Sequence, residues 1–233
     1  MGLRIKIVQS SSLHSKGICG KNHPTSAIII VTIMLNLFFS SLTHDQIIEM
    51  IATTCGLLNI FLITRQSNWN FLFGFLNAAA FFFLFHHKKI YADMGLHFCY
   101  MAFQVYGFYQ WRLGGTLHQG VHVKYANVRD FSMALAVMAL LAGTLVYILS
   151  HYTDSTRIGL DATSSAICLV AQWMMSKKWI QNWWLWLIAD VIAITLYLYK
   201  GLYLTSGLYT VYIIMCCIGL YQWHRKWHLA TAP

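Results

Sequence analysis

Apolar runs about as long as a bilayer crossing recur along this chain from Ala27 to Trp223. Few folds suit such a pattern, because a spanning helix needs about 20 consecutive apolar residues and little else supplies them so often. The runs cover 46–64, 69–85, 92–111, 131–150, 158–175, 183–199 and 203–223. A shorter one at 27–42 either spans or lies at the interface, and it follows a polar, basic tail at 1–26. The chain is 58% hydrophobic and 10% charged, whereas a soluble domain carries about 25% charged residues. The reading is an all-α integral membrane protein with a lipid bilayer around it. The net charge of +9 could point to nucleic acid, but the basic residues are scattered through short loops, so no nucleic-acid partner is expected. Five of the six cysteines lie inside apolar runs, as small core residues do. The run after the tail lacks a convincing A-x-A cleavage site, so no signal peptide is read.

Lys and Arg set the orientation. One side collects Arg4, Lys6, Lys16, Lys21, Arg65, Arg112, Lys124, Arg129, Lys177, Lys178, Arg225 and Lys226; the other has Lys88, Lys89, Arg157 and Lys200. That bias predicts a multi-pass protein with both termini cytoplasmic.

The chain also repeats itself. A shift of about 112 positions sets Tyr109-Gln110-Trp111 on Tyr221-Gln222-Trp223, Gly107 on Gly219 and Asn70 on Asn182. Around 70–77 a shift of about 113 also aligns, setting Asn70 on Trp183, Phe73 on Trp186 and Asn77 on Asp190. Both registers stand open on sequence alone. Each repeat, 46–112 and 158–227, holds three spans, and a linker helix at 131–150 lies between them. Three spans plus one return the chain to its starting side. The expected architecture is therefore two parallel three-helix repeats joined 3+1+3, with an extra N-terminal helix at 27–42.

Asp190 lies inside one of the apolar runs. A carboxylate at that depth costs several kcal/mol unless it faces protein or a wet cavity, so it marks a site. Trp183, Trp186 and Asp190 follow i, i+3, i+7 spacing and share a helix face. Two indoles above one acid suit a flat ring bearing hydroxyls. Trp179 and Trp184 read as interfacial belt. Amides at Asn70, Asn77, Gln104, Gln110 and Gln222 serve either as ligand contacts or as interhelical bonds. Gly107 and Gly219 read as points of close helix approach. The spaced pairs His118/His122 and His224/His228 lack an acid or cysteine partner nearby, so no metal site is expected. Glu49, Asp93 and Asp161 sit at helix starts, where the dipole favours them. One deep carboxylate without a relay suggests uniport. A membrane enzyme using Asp190 lacks a second catalytic group, and a passive subunit leaves the aromatic–acid face unexplained.

The repeat plan, Trp183-x-x-Trp186-x-x-x-Asp190, the run Tyr197-x-Tyr199-Lys200-Gly201-Leu202-Tyr203 and the closing Tyr221-Gln222-Trp223 resemble the PnuC family of nicotinamide riboside transporters over about 46–227. That family is similar to SWEET proteins in architecture. The resemblance implies facilitated diffusion of a small vitamin across a bacterial inner membrane, with cytoplasmic phosphorylation trapping it. It implies no cofactor, a homo-oligomer, and a trimer as the suggested form. Relatives carry thiamine or other vitamins, which is the alternative substrate class. The implied contacts are Trp183, Trp186 and Asp190, with Asn70 and Asn77 from the first repeat and Tyr197, Gln104, Gln110 and Gln222 as further candidates.

Overall fold

The computed structural model describes residues 43–115, 118–152, 158–199, 201 and 203–231. The tail at 1–26 and the run at 27–42 lie outside the described residues. Seven helices follow in order: α1 (His44–Thr64), α2 (Asn70–His87), α3 (Tyr91–Leu113), α4 (Val128–Tyr152), α5 (Ile158–Ser176), α6 (Asn182–Tyr199) and α7 (Tyr203–Thr231). Each predicted run after residue 43 is a helix, and α7 extends well past its expected end at 223. Six are long and apolar enough to cross a membrane. The exception is α3, where His97, Gln104, Gln110 and several tyrosines dilute the apolar residues.

Six helices close a ring. α1 packs on α2, α2 on α3, α3 on α5, α5 on α6, α6 on α7, and α7 returns to α1. Among the described residues α4 packs on α5 alone. Its inner face presents Phe131, Ala134, Met138 and Leu141 to the core, and the outer face leaves Leu140 and Tyr147 exposed. Such exposure is costly in water and harmless in lipid.

The turns follow the same register twice. The turns after α1 and α5 are made by Gln66 (φ 56°) and Lys178 (φ 53°); those after α2 and α6 by Lys89 (φ 58°) and Gly201 (φ 72°). Both pairs lie 112 positions apart. The start of α2 matches the start of α6: Asn70 Nδ2 donates to Ser67 O at 2.6 Å, and Asn182 Nδ2 to Trp179 O at 2.6 Å. Trp111 Nε1 donates to Met175 O at 3.3 Å and Trp223 Nε1 to Ile63 O at 3.1 Å. The first bond joins α3 to α5 and the second α7 to α1, both at the Lys/Arg-rich end. The two indoles meet there, 6.0 Å apart.

Trp179 is a correction to the belt reading. It is 5% exposed, set edge-on to Trp173 at 5.2 Å. The segment after α3 straps the turn that carries it: Lys124 N donates to Lys178 O, and Ile180 N to Lys124 O. Gln181 adds two bonds to the backbone of Ala126. The strap covers Trp179; Trp184, with no such cover, is 55% exposed.

Candidate binding site

α6 carries the centre of the site. Asn182 opens it, its Nδ2 donating back to Trp179 O, and one residue later Trp183 enters the core, 2% exposed. Its ring meets Trp223 edge-on at 5.4 Å and lies on Gly219 so closely that a Cβ there would overlap it. Phe71 repeats the arrangement in α2, edge-on to Trp111 at 4.9 Å and lying on Gly107. These glycines receive rings, a more specific role than letting two helix backbones approach.

Two turns deeper, about 10 Å along the axis, Asp190 is 5% exposed. Cys216 Sγ of α7 donates to its Oδ2 at 3.6 Å. Cys168 of α5 and Tyr212 of α7 lie within electrostatic reach of the carboxylate. Tyr212 continues the polar line toward α1 and α2. Its hydroxyl faces Gly56 beside the Asn77 amide, and Asn77 Nδ2 donates to Ala52 O at 2.7 Å. In the other direction Cys168 adjoins Tyr100 of α3 and Ser164. Tyr209 follows, stacked at a tilt on Tyr197 at 5.3 Å. All six helices of the ring contribute to this line, and Asp190 is its one carboxylate.

The predicted residues therefore divide. Asp190, Asn77 and Tyr197 fall on the line. Trp186 is partly buried and packs against the cluster that contains Cys216 and Trp183. Gln104, 5% exposed, lies across Gly74 with its Oε1 buried and unpaired. In the register of 112, Gly74 stands opposite Trp186 and Gln104 opposite Cys216. The first pair sets an amide over a glycine, whereas the matching positions hold an indole and a thiol of one core cluster. Asn70 is not brought to Asp190; it is fully buried at the start of α2, with its amide nitrogen bonded within its own turn. Gln110 Nε2 donates to Tyr106 Oη at 2.7 Å. Gln110 and Gln222 are half-buried near the Lys/Arg-rich end, away from the carboxylate.

Sequence reasoning missed Cys216, Cys168, Tyr212, Tyr209 and Tyr100. Cys216 carried a usable signal, since it takes the place of Gln104 in the second half. The tyrosines carried none, because aromatic residues crowd every span here.

The chemistry is that of recognition. Asp190 and the Gln104 carbonyl accept hydrogen bonds. The Trp183 Nε1–H is buried without a partner and can donate. Indole and phenol rings offer faces to a flat or cationic ring. Among the described residues no group of three His, Cys, Asp or Glu side chains could hold a metal. His97 sits among Phe81, Phe85 and Tyr100, with Nδ1 at 2.9 Å from Asp93 O. A shallow depression of about 390 Å³ lies on α4, lined by Ala139, Leu140, Gly143, Thr144 and Tyr147, none of them on the polar line.

Residues 46–225 match the family model described as nicotinamide mononucleotide transporter. The nicotinamide riboside transporter PnuC of Escherichia coli is 24% identical over 201 residues, covering 76% of this chain and 84% of that protein. The riboflavin/roseoflavin transporter RibM of Streptomyces davaonensis is 23% identical over 188 residues, covering 79% and 88%. A crystal structure of the vitamin B3 transporter PnuC superposes with a TM-score of 0.64 at 21% identity, covering 90% of this chain and 94% of that one.

Proposed function

We infer, from the premise that the chain belongs to the nicotinamide mononucleotide transporter family, that it carries nicotinamide riboside across a bacterial inner membrane by facilitated diffusion. The observation that carries this reading is the polar line of the six-helix ring, centred on a buried carboxylate. A buried acid needs a partner. The Cys216 thiol is a weak donor, so the carboxylate keeps acceptor capacity for ribose hydroxyls. Trp183, Trp186 and Asp190 bind the ligand, with Asn77, Gln104 and Tyr197 lining its route. A pyridinium ring against an indole gains about 0.5–2 kcal/mol.

The architecture we propose is two parallel three-helix repeats, α1–α3 and α5–α7, with α4 as the linker. The matched turns, the matched asparagines and the reciprocal Trp111 and Trp223 bonds support it. The two units rock against each other for alternating access. In this reading the Trp111–Trp223 seam closes the Lys/Arg-rich, cytoplasmic end, and cytoplasmic phosphorylation traps the vitamin that passes it. Both termini are cytoplasmic and the protein is a homo-oligomer, a trimer by resemblance.

A second substrate reading rests on RibM, whose name assigns it a larger flat vitamin. Competition for uptake separates the two. Excess nicotinamide riboside should displace labelled nicotinamide riboside better than riboflavin or thiamine does; the reverse order would move the protein to the other substrate.

A further inference from the structure

The Lys/Arg-rich end holds charge that the polar line does not use. Lys178 bends the turn after α5, and its side chain folds back over the bundle, with Nζ 4.4 Å from the centroid of the Trp111 ring. It is half-buried and feels the like charge of Lys226 on α7. Lys226 Nζ in turn donates to Gln66 Oε1 at 2.7 Å, and Gln66 makes the turn after α1. Groups from two turns and α7 thus converge above the paired indoles of Trp111 and Trp223. The ion pairs between described residues lie at the opposite end, where Asp45 meets His87 at 3.5 Å and Lys88 at 3.9 Å. Among the described residues no ion pair with a carboxylate neutralises these two ammonium groups, so they repel, and a bridging dianion turns that repulsion into attraction.

We propose that Lys178, Lys226 and Gln66 form a phosphate-monoester site at this end of the ring. The ligand comes from solution. Lys178 Nζ lies over Trp111, a core indole whose N–H bond crosses the seam to Met175 O, so this side of the site faces the bundle and the exposed Lys226 faces solution. A bound phosphate ties the turn after α5 to α7 and to the turn after α1, and so holds the seam shut. On the transport reading above, which this inference extends, the product of phosphorylation of the imported nucleoside is itself a phosphate monoester. It would slow further import from the inside.

The test uses purified full-length protein at constant ionic strength, balanced with sodium chloride. Inorganic phosphate, and then a nucleoside monophosphate, should raise the unfolding temperature saturably. Lys226→Gln, an exposed position whose change leaves the core intact, should raise the midpoint concentration at least tenfold. Lys178→Gln, which copies its counterpart Gln66, should abolish the response. Phosphate sealed inside proteoliposomes should slow uptake by the parent and not by either variant. The same phosphate response in parent and both variants overturns the site. A response to phosphatidylglycerol nanodiscs without one to free phosphate overturns the solution ligand. Failure of the parent to take up nicotinamide riboside, with its phosphate response intact, removes the transport reading and leaves the site standing.

Discussion

Trp183 is wedged between Gly219 and the edge of Trp223, so cutting it to alanine removes a core side chain along with an indole. That loss costs about 3–5 kcal/mol of stability and would confuse a binding measurement. Phe71 fills the matching niche against Gly107, which makes Trp183→Phe the cleaner change. We expect it to fold like the parent and to bind nicotinamide riboside about tenfold more weakly, roughly 1.4 kcal/mol, by calorimetric titration. Parental affinity would take the Trp183 N–H out of the contact. Asp190→Asn keeps one acceptor and should lose less affinity than Asp190→Ala; equal and severe losses would make charge the role. At the Lys/Arg-rich end, burial and then the charge of Lys226 pull the Lys178 ammonium down to about 8. Its folded value lies below its unfolded one, so protonation opposes folding, and stability should rise with pH from about 8 to about 10.5. Lys226 is the charged group that faces it; Gln66 and Trp111 are neutral. Phosphate stabilisation should run the other way, present below about pH 8 and fading above it. Thermal unfolding across that range, with and without phosphate, checks both signs, and Lys178→Gln should flatten them.

At the scale of helices, α6 and α7 meet through a ring laid on a glycine. Alanine at Gly219 would drive a methyl into the Trp183 ring, and at Gly107 into Phe71. Overpacking of this kind costs about 1–3 kcal/mol, so each variant should unfold several degrees below the parent. Trp183→Val, which withdraws the ring, combined with Gly219→Ala should cost less than the sum of the two single changes; additive losses would mean the ring is not what the methyl meets. Helix positions were legible because apolar runs are long and their ends carry charge. Of the candidate site, the buried Asp190 was legible because a carboxylate inside an apolar run is rare; the indoles four and seven residues before it were legible only as members of the same helix face. The register was ambiguous near Asn70 because polar and aromatic residues there align almost equally well at two shifts. The bonds at Asn70 and Asn182 and the rings at Phe71 and Trp183 follow the shift of 112. Trp179 misled because its cover comes from a strap more than 50 residues earlier, at Lys124 and Ala126, which no local pattern reveals.

For the molecule as a whole, the six-helix ring has two ends, and on the proposed orientation the Lys/Arg-richer end faces the cytoplasm. In a cysteine-free background, Lys200→Cys should be labelled from outside and Lys177→Cys from inside; opposite labelling would reverse the direction of import and the side of the phosphate site. The central claim is that Asp190 anchors a vitamin on an uncoupled path. It is tested most directly by uptake of labelled nicotinamide riboside into proteoliposomes, parent beside Asp190→Ala, with pH or sodium gradients imposed and then collapsed. Uptake by the parent should saturate and level at the outside concentration whatever the gradient, and the variant should lose most of it. Accumulation above the outside concentration that vanishes on collapse, or equal uptake by the variant, would contradict it.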